Sequence, residues 1–92
     1  MFVTMLEKTI ERKLGEMAKA AGGLALKWVS PSNAGVPDRI VLFPGGRVVF
    51  VELKAPGKKP TDLQLRVHNA LRGLGMDVRV IDSMDGVKEL FE

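Results

Sequence analysis

Residues 35–54 read GVPDRIVLFPGGRVVFVELK, and no other stretch limits the chain so tightly. Two apolar runs, Ile40 to Phe43 and Val48 to Val51, flank Pro44-Gly45-Gly46. A glycine-rich break between two such runs predicts a β-hairpin. A three-residue loop pairs Phe43 with Arg47, and therefore Asp38 with Glu52; other short loops shift the register by one residue. Lys54 lies two residues beyond Glu52 and so projects from the same face. Two carboxylates and an amine are thus gathered at the open end of a very apolar ladder. Such a cluster is costly to desolvate, and packing alone gives no reason for it.

The rest of the composition sets outer bounds. A chain of 92 residues makes one domain spanning 1–92, and with 46% hydrophobic residues it should fold around a single core. One Trp and four Phe are too few for a base-stacking platform of the kind that grips single strands. The net charge of +3 is a mild bias toward polyanions and decides little alone. The absence of cysteine excludes disulfides, thiolate zinc sites and cysteine nucleophiles. No signal-type N-terminus and no apolar run of about 18 residues is present, so a soluble, cytoplasmic protein is expected.

Along the chain, Thr4-Met5-Leu6-Glu7 has the form of a capping box. Leu6, Ile10, Leu14, Met17 and Ala21 follow at helical spacing until Gly22-Gly23, which predicts a first helix over Met5 to Ala21. Leu24 to Val29 is a strand candidate, and Ser30 to Pro37 a loop. The hairpin strands read as continuous apolar runs, which implies burial on both faces. Ala55 to Pro60 is a basic turn. Thr61-Asp62-Leu63-Gln64 is a second capping box, opening a helix whose buried stripe should be Leu63, Val67, Ala70, Leu71 and Leu74. Met76 to Ile81 is the last strand, and Ser83 to Glu92 a short closing helix. The order α-β-β-β-α-β contains a βαβ crossover, so an α/β fold with a mixed sheet flanked by helices is expected.

Asp38 and Glu52 are the leading chemical candidates. Hard divalent cations such as Mg²⁺ take one or two protein carboxylates and complete their octahedron with water and substrate phosphate. The backbone carbonyl of Leu53 offers a third oxygen. Lys54 is then placed to orient an attacking water or to stabilise charge developing on phosphorus. Taken singly, each acid reads as a loop cap or a solvated strand end. The coincident set favours chemistry.

These residues resemble a known family. Gly35-Val36-Pro37-Asp38, then Glu52-Leu53-Lys54, a basic turn and Gln64 on a helix are similar to the PD-(D/E)xK nuclease superfamily. Within it they are most similar to the VRR-NUC group, the virus-type replication-repair nucleases. The resemblance runs from the first helix to the last strand, and the element order is that of a restriction-endonuclease-like core. It implies that Asp38 and Glu52 are metal ligands, that Lys54 is the catalytic lysine, and that Gln64 braces the site or contacts nucleic acid. It also implies a glutamate on the first helix facing the metal. Glu7 lies about 60° from the centre of the apolar stripe and Glu11 about 100°, so Glu7 is preferred with Glu11 in reserve.

Other roles compete for some of these side chains. Gln64 is the N3 residue of its capping box, Glu7 completes the first one, and Glu11 is accounted for as a solvated residue. His68 sits one turn beyond Gln64 on the same helical side and reads more simply as a surface or core histidine than as a catalyst. Lys58 and Lys59, with Lys27, Arg39 and Arg66, form a candidate phosphate track. Trp28 reads as core.

The resulting expectation is a Mg²⁺-dependent DNA endonuclease in which Mn²⁺ can substitute. By the resemblance, small phage-type members act as homodimers on branched DNA, including four-way (Holliday) junctions. The principal alternative is a non-catalytic, basic nucleic-acid-binding accessory domain. A base-specific restriction-type enzyme is disfavoured, because no insertion is long enough to read base edges in a groove.

Overall fold

The computed structural model describes residues 2–92, with side chains from residue 6 onward. Its elements are α1 (Phe2–Ala20), β1 (Leu24–Lys27), β2 (Arg39–Leu42), β3 (Val48–Leu53), α2 (Asp62–Gly73), β4 (Asp77–Ile81) and α3 (Met84–Leu90). The α-β-β-β-α-β order with a closing helix is the expected one. Helix α1 begins at Phe2, three residues before the expected start, so Thr4 falls within it. The capping role proposed for the Thr4 side chain lies outside the described residues.

The four strands lie in the order β1-β2-β3-β4, antiparallel as far as β3 and parallel between β3 and β4. The sheet is therefore mixed, and α2 is the crossover between its parallel strands. In the hairpin Arg39 faces Val51 and Leu42 faces Val48. The Phe43 amide donates to the Arg47 carbonyl at 2.9 Å. Counting outward along this register places Asp38 opposite Glu52, the three-residue-loop pairing. Gly45 and Gly46 take φ of 90° and 94°, the left-handed region that lets the chain reverse here.

Strand alternation then sorts the side chains. On one face Val41, Val49, Val51, Leu53 and Ile81 pack with Ile10, Leu14 and Ala18 of α1 and Val87 and Leu90 of α3, forming the buried core. Gly23 lets the first turn close against the sheet, since a Cβ there would lie 2.0 Å from the Leu42 carbonyl oxygen. The opposite face carries Leu24, Leu26, Ile40, Leu42, Val48, Phe50 and Glu52, and α2 lies over part of it.

That face corrects two expectations. Val48, Leu24 and Leu26 are exposed, so the apolar runs are buried fully on one side only. The stripe expected to be buried on α2 is not: Leu63 and Leu74 are exposed, Leu74 at 76%, and Ala70 is exposed as well. The helix is rolled so that the fully buried residue it presents to the sheet is His68. Leu63, Val67 and Ala70 instead line an open cleft beside Trp28 and the 30–36 loop. Trp28 is half-buried against Phe50, ring centroids 5.2 Å apart.

Candidate active site

The open end of the hairpin forms one wall of a cavity of about 360 Å³ lined by Glu7, Asp38, Glu52, Leu53, Lys54, Ala55, Lys58, Lys59 and Gln64. Three elements supply it. The hairpin contributes Asp38 and the Glu52-Leu53-Lys54 triplet, α1 passes with Glu7, and the first turn of α2 brings Gln64.

Asp38 sits one residue before β2, where its carbonyl accepts from the Trp28 amide at 2.8 Å. Its Oδ2 accepts from the Leu53 amide at 2.9 Å, which fixes the carboxylate across the hairpin. Leu53 thus already serves the site through its N–H. Glu52 is 2% exposed. Its Oε2 accepts from Gln64 Nε2 at 3.3 Å and lies 3.6 Å from Lys54 Nζ. Its Oε1 faces His68 Nε2 at 3.5 Å, too far for a sound hydrogen bond, and is without a hydrogen-bond partner.

These surroundings set the charge state. Burial, reinforced by the adjacent Asp38 and only partly offset by Lys54, pushes the Glu52 carboxyl up to about 8. Burial, with help from Arg72 and Lys54, pushes His68 below the usual histidine range, so its ring is neutral at pH 7.

The two roles imagined for Gln64 prove compatible, because an amide has two ends. Oε1 accepts from the Thr61 amide at 2.9 Å, completing the capping box in which Thr61 Oγ1 accepts from the Gln64 amide at 3.2 Å. Nε2 is left to brace Glu52. The cap holds the brace in place.

Of the other candidates, Glu7, Lys54, Lys58 and Lys59 are brought together with the acid pair. Glu11 pairs with Arg39 at 2.7 Å beside a smaller pocket that also touches Lys27 and Asp38. Arg39 also donates to the Asp38 carbonyl at 3.2 Å. Arg66 lies on the separate cleft beside Trp28. His68, one turn beyond Gln64, is a core residue: it is fully buried, its Nε2 lies beside Glu52, and it does not line the cavity. Sequence reasoning missed one contributor. Asp82, whose Oδ2 accepts from the Gly57 amide at 3.3 Å, pins the basic turn and left no local signal.

The donor set fits a hard divalent cation. Two adjacent carboxylates, one held up to about 8 by burial and its neighbour, describe a site short of positive charge. Among the described residues no group of three or more His, Cys, Asp or Glu side chains could hold an ion. Asp38 and Glu52 are the side chains that would hold such an ion, and one or two carboxylates is what Mg²⁺ usually takes from protein.

The fold is that of a PD-(D/E)xK-type nuclease domain, and similarity to known proteins narrows the class. No family model matches the chain. A solved structure described as "VRR_NUC domain" superposes with a TM-score of 0.86 at 35% identity, covering 92% of each chain. A protein of Acyrthosiphon pisum secondary endosymbiont phage 1, named "Putative nuclease p44", is 52% identical over 79 residues, 86% of this chain and 85% of its own. The chain belongs to the VRR-NUC family of nucleases, in its phage-type form. Among the described residues no helix is long and apolar enough to cross a membrane.

Proposed function

We propose that the chain is a metal-dependent DNA endonuclease that hydrolyses phosphodiester bonds, with selectivity for branched DNA such as four-way junctions. One observation carries this reading. Asp38, Glu52 and Lys54 line a single cavity, and the Glu52 carboxyl is buried there without enough positive charge around it.

In this reading Asp38 and Glu52 hold Mg²⁺, or Mn²⁺ in its place, with the Leu53 carbonyl as a third oxygen. The chemistry such a cation would supply there is Lewis-acid polarisation of the phosphodiester and a lowered pKa for bound water. Lys54, on the cavity wall, orients the attacking water or neutralises charge as the water oxygen bonds to phosphorus and the bond to the sugar oxygen breaks. Gln64 keeps Glu52 aimed, Glu7 supplies an acid from α1, and Lys58 and Lys59 steady the neighbouring phosphates. Arg39 is engaged by Glu11 and Arg66 lies on the separate Trp28 cleft, so neither is part of the phosphate track beside the cavity.

A four-way junction calls for two symmetric cuts, which a two-fold homodimer supplies by geometry. The exposed leucines of the uncovered sheet face suit a second copy as their cover.

The test is cleavage of labelled four-way, flap and linear DNA with and without Mg²⁺. Junction cutting should require the metal. Asp38→Asn and Lys54→Ala should each lower the rate by at least about 10²-fold. Equal cutting of all three substrates would remove the junction preference. DNA binding that ignores both Mg²⁺ and Lys54→Ala, with no cleavage, would leave only a binding domain.

A further inference from the structure

Three buried side-chain polar atoms stand without a hydrogen-bond partner among the described residues: Glu52 Oε1, His68 Nδ1 and His68 Nε2. Two of the three face each other at 3.5 Å. Buried polar groups are nearly always paired, so two orphans aimed at one another invite an explanation. His68 is 0% exposed, with Glu52 between it and the cavity, so it has no route to substrate. It does have a route to a metal ligand.

We propose that His68 is a positioning residue for Glu52. Its Nε2–H holds the inner oxygen of the carboxylate and leaves the outer oxygen to face a divalent cation. The geometry of α2 supports this. Gln64 and His68 are four residues apart and lie on one helix face. Gln64 Nε2 donates to Oε2, and His68 Nε2 stands opposite Oε1. One face of one helix therefore addresses both oxygens of a single buried carboxylate, and fixes its rotation about the Cγ–Cδ bond. Closing the gap needs a movement of a few tenths of an ångström, of the sort that active-site contacts make when a ligand binds. Groups that orient a metal ligand in this way contribute to affinity without touching the metal. A histidine present merely to fill the interior would contribute nothing of the kind.

The inference rests on reading Glu52 as a cation ligand, and the experiment separates the two claims. His68 is the only histidine in the chain, so a ¹⁵N-edited imidazole spectrum of the wild-type protein above pH 8 in saturating Mg²⁺, where Glu52 is ionised, reports it alone. The proton should reside on Nε2. A proton on Nδ1, with a bare Nε2 turned to Glu52, would overturn the proposal, because the carboxyl would then have to be the donor. Binding of Mn²⁺ alone is measured next by calorimetry. His68→Phe should weaken it by about 10–100-fold, and His68→Gln, which keeps a donor near the same place, should recover most of the loss. Unchanged Mn²⁺ affinity in a folded His68→Phe sinks the positioning role and leaves the ligand assignment standing. A wild-type protein that binds neither Mn²⁺ nor Mg²⁺ sinks both. Should His68→Phe fail to fold, the wild-type tautomer and the His68→Gln affinity still decide.

Discussion

Glu52 concentrates the energetics of this protein in one side chain. It is buried, it lies beside a second acid, and its carboxyl is pushed from 4.5 up to about 8. A carboxyl whose folded pKa lies above its unfolded one favours the folded state while protonated. Its contribution is therefore complete below about pH 4.5 and is lost as the pH rises through about 8. Metal-free protein should accordingly lose stability across that window, by an amount on the order of 1–3 kcal/mol. Saturating Mg²⁺ should restore most of it near pH 8, because a cation rewards the ionised form. Glu52→Gln should flatten the metal-free profile. Urea midpoints at several pH values, in chelator and in Mg²⁺, measure all three; a wild-type midpoint in chelator that does not fall with pH would contradict the assignment.

Among the elements, the run from β3 through the basic turn into α2 carries most of the site. Strand alternation sets Glu52 and Lys54 on one side, and the Thr61 cap fixes where α2 begins and so where Gln64 and His68 fall. Between them the turn is stitched at both ends. The Lys58 amide donates to the Ala55 carbonyl at 2.9 Å, and Asp82 accepts from Gly57. Lys58 and Lys59 are thereby held at the cavity mouth. Each ammonium that contacts a phosphate displaces about 0.9 counterion. Lys58→Ala with Lys59→Ala should therefore reduce the slope of log affinity against log salt by about 2, with affinity falling for every DNA sequence alike. Filter binding across a salt series reads this directly. An unaltered slope would move the phosphate track elsewhere.

At the scale of the molecule the asymmetry of the sheet matters most. One face is closed by α1 and α3 over a continuous core, whereas α2 covers the other face only in part. Leu24 at 56% and Leu26 at 45% exposure are left on that side. Large apolar side chains grouped in this way usually mark a contact surface. Light scattering at tens of micromolar should find a dimer, and Leu24→Glu with Leu26→Glu should yield a folded monomer. A monomeric wild-type protein would remove the two-fold explanation for paired cuts.

Much of this was legible in the residues themselves. Pro44-Gly45-Gly46 between two apolar runs pointed to the hairpin, and the fold took the three-residue-loop register from the ones the residues left open, so that a period of two places Asp38, Glu52 and Lys54 together. The capping box at Thr61 and the glycine stops gave the helices their ends. These signals depend on neighbours along the chain, where sterics and hydrogen bonding act over a few residues. The helical angle likewise favoured Glu7 over Glu11, and Glu7 lines the cavity while Glu11 pairs with Arg39. Two features needed the folded molecule. Gln64 serves the cap and the carboxylate together because the crossover carries it back beside Glu52. His68, and not the leucine stripe, faces the sheet from α2. Periodicity identifies a helix's apolar side, but long-range packing chooses which side is turned inward, and here a buried carboxylate left the helix a polar neighbour to meet.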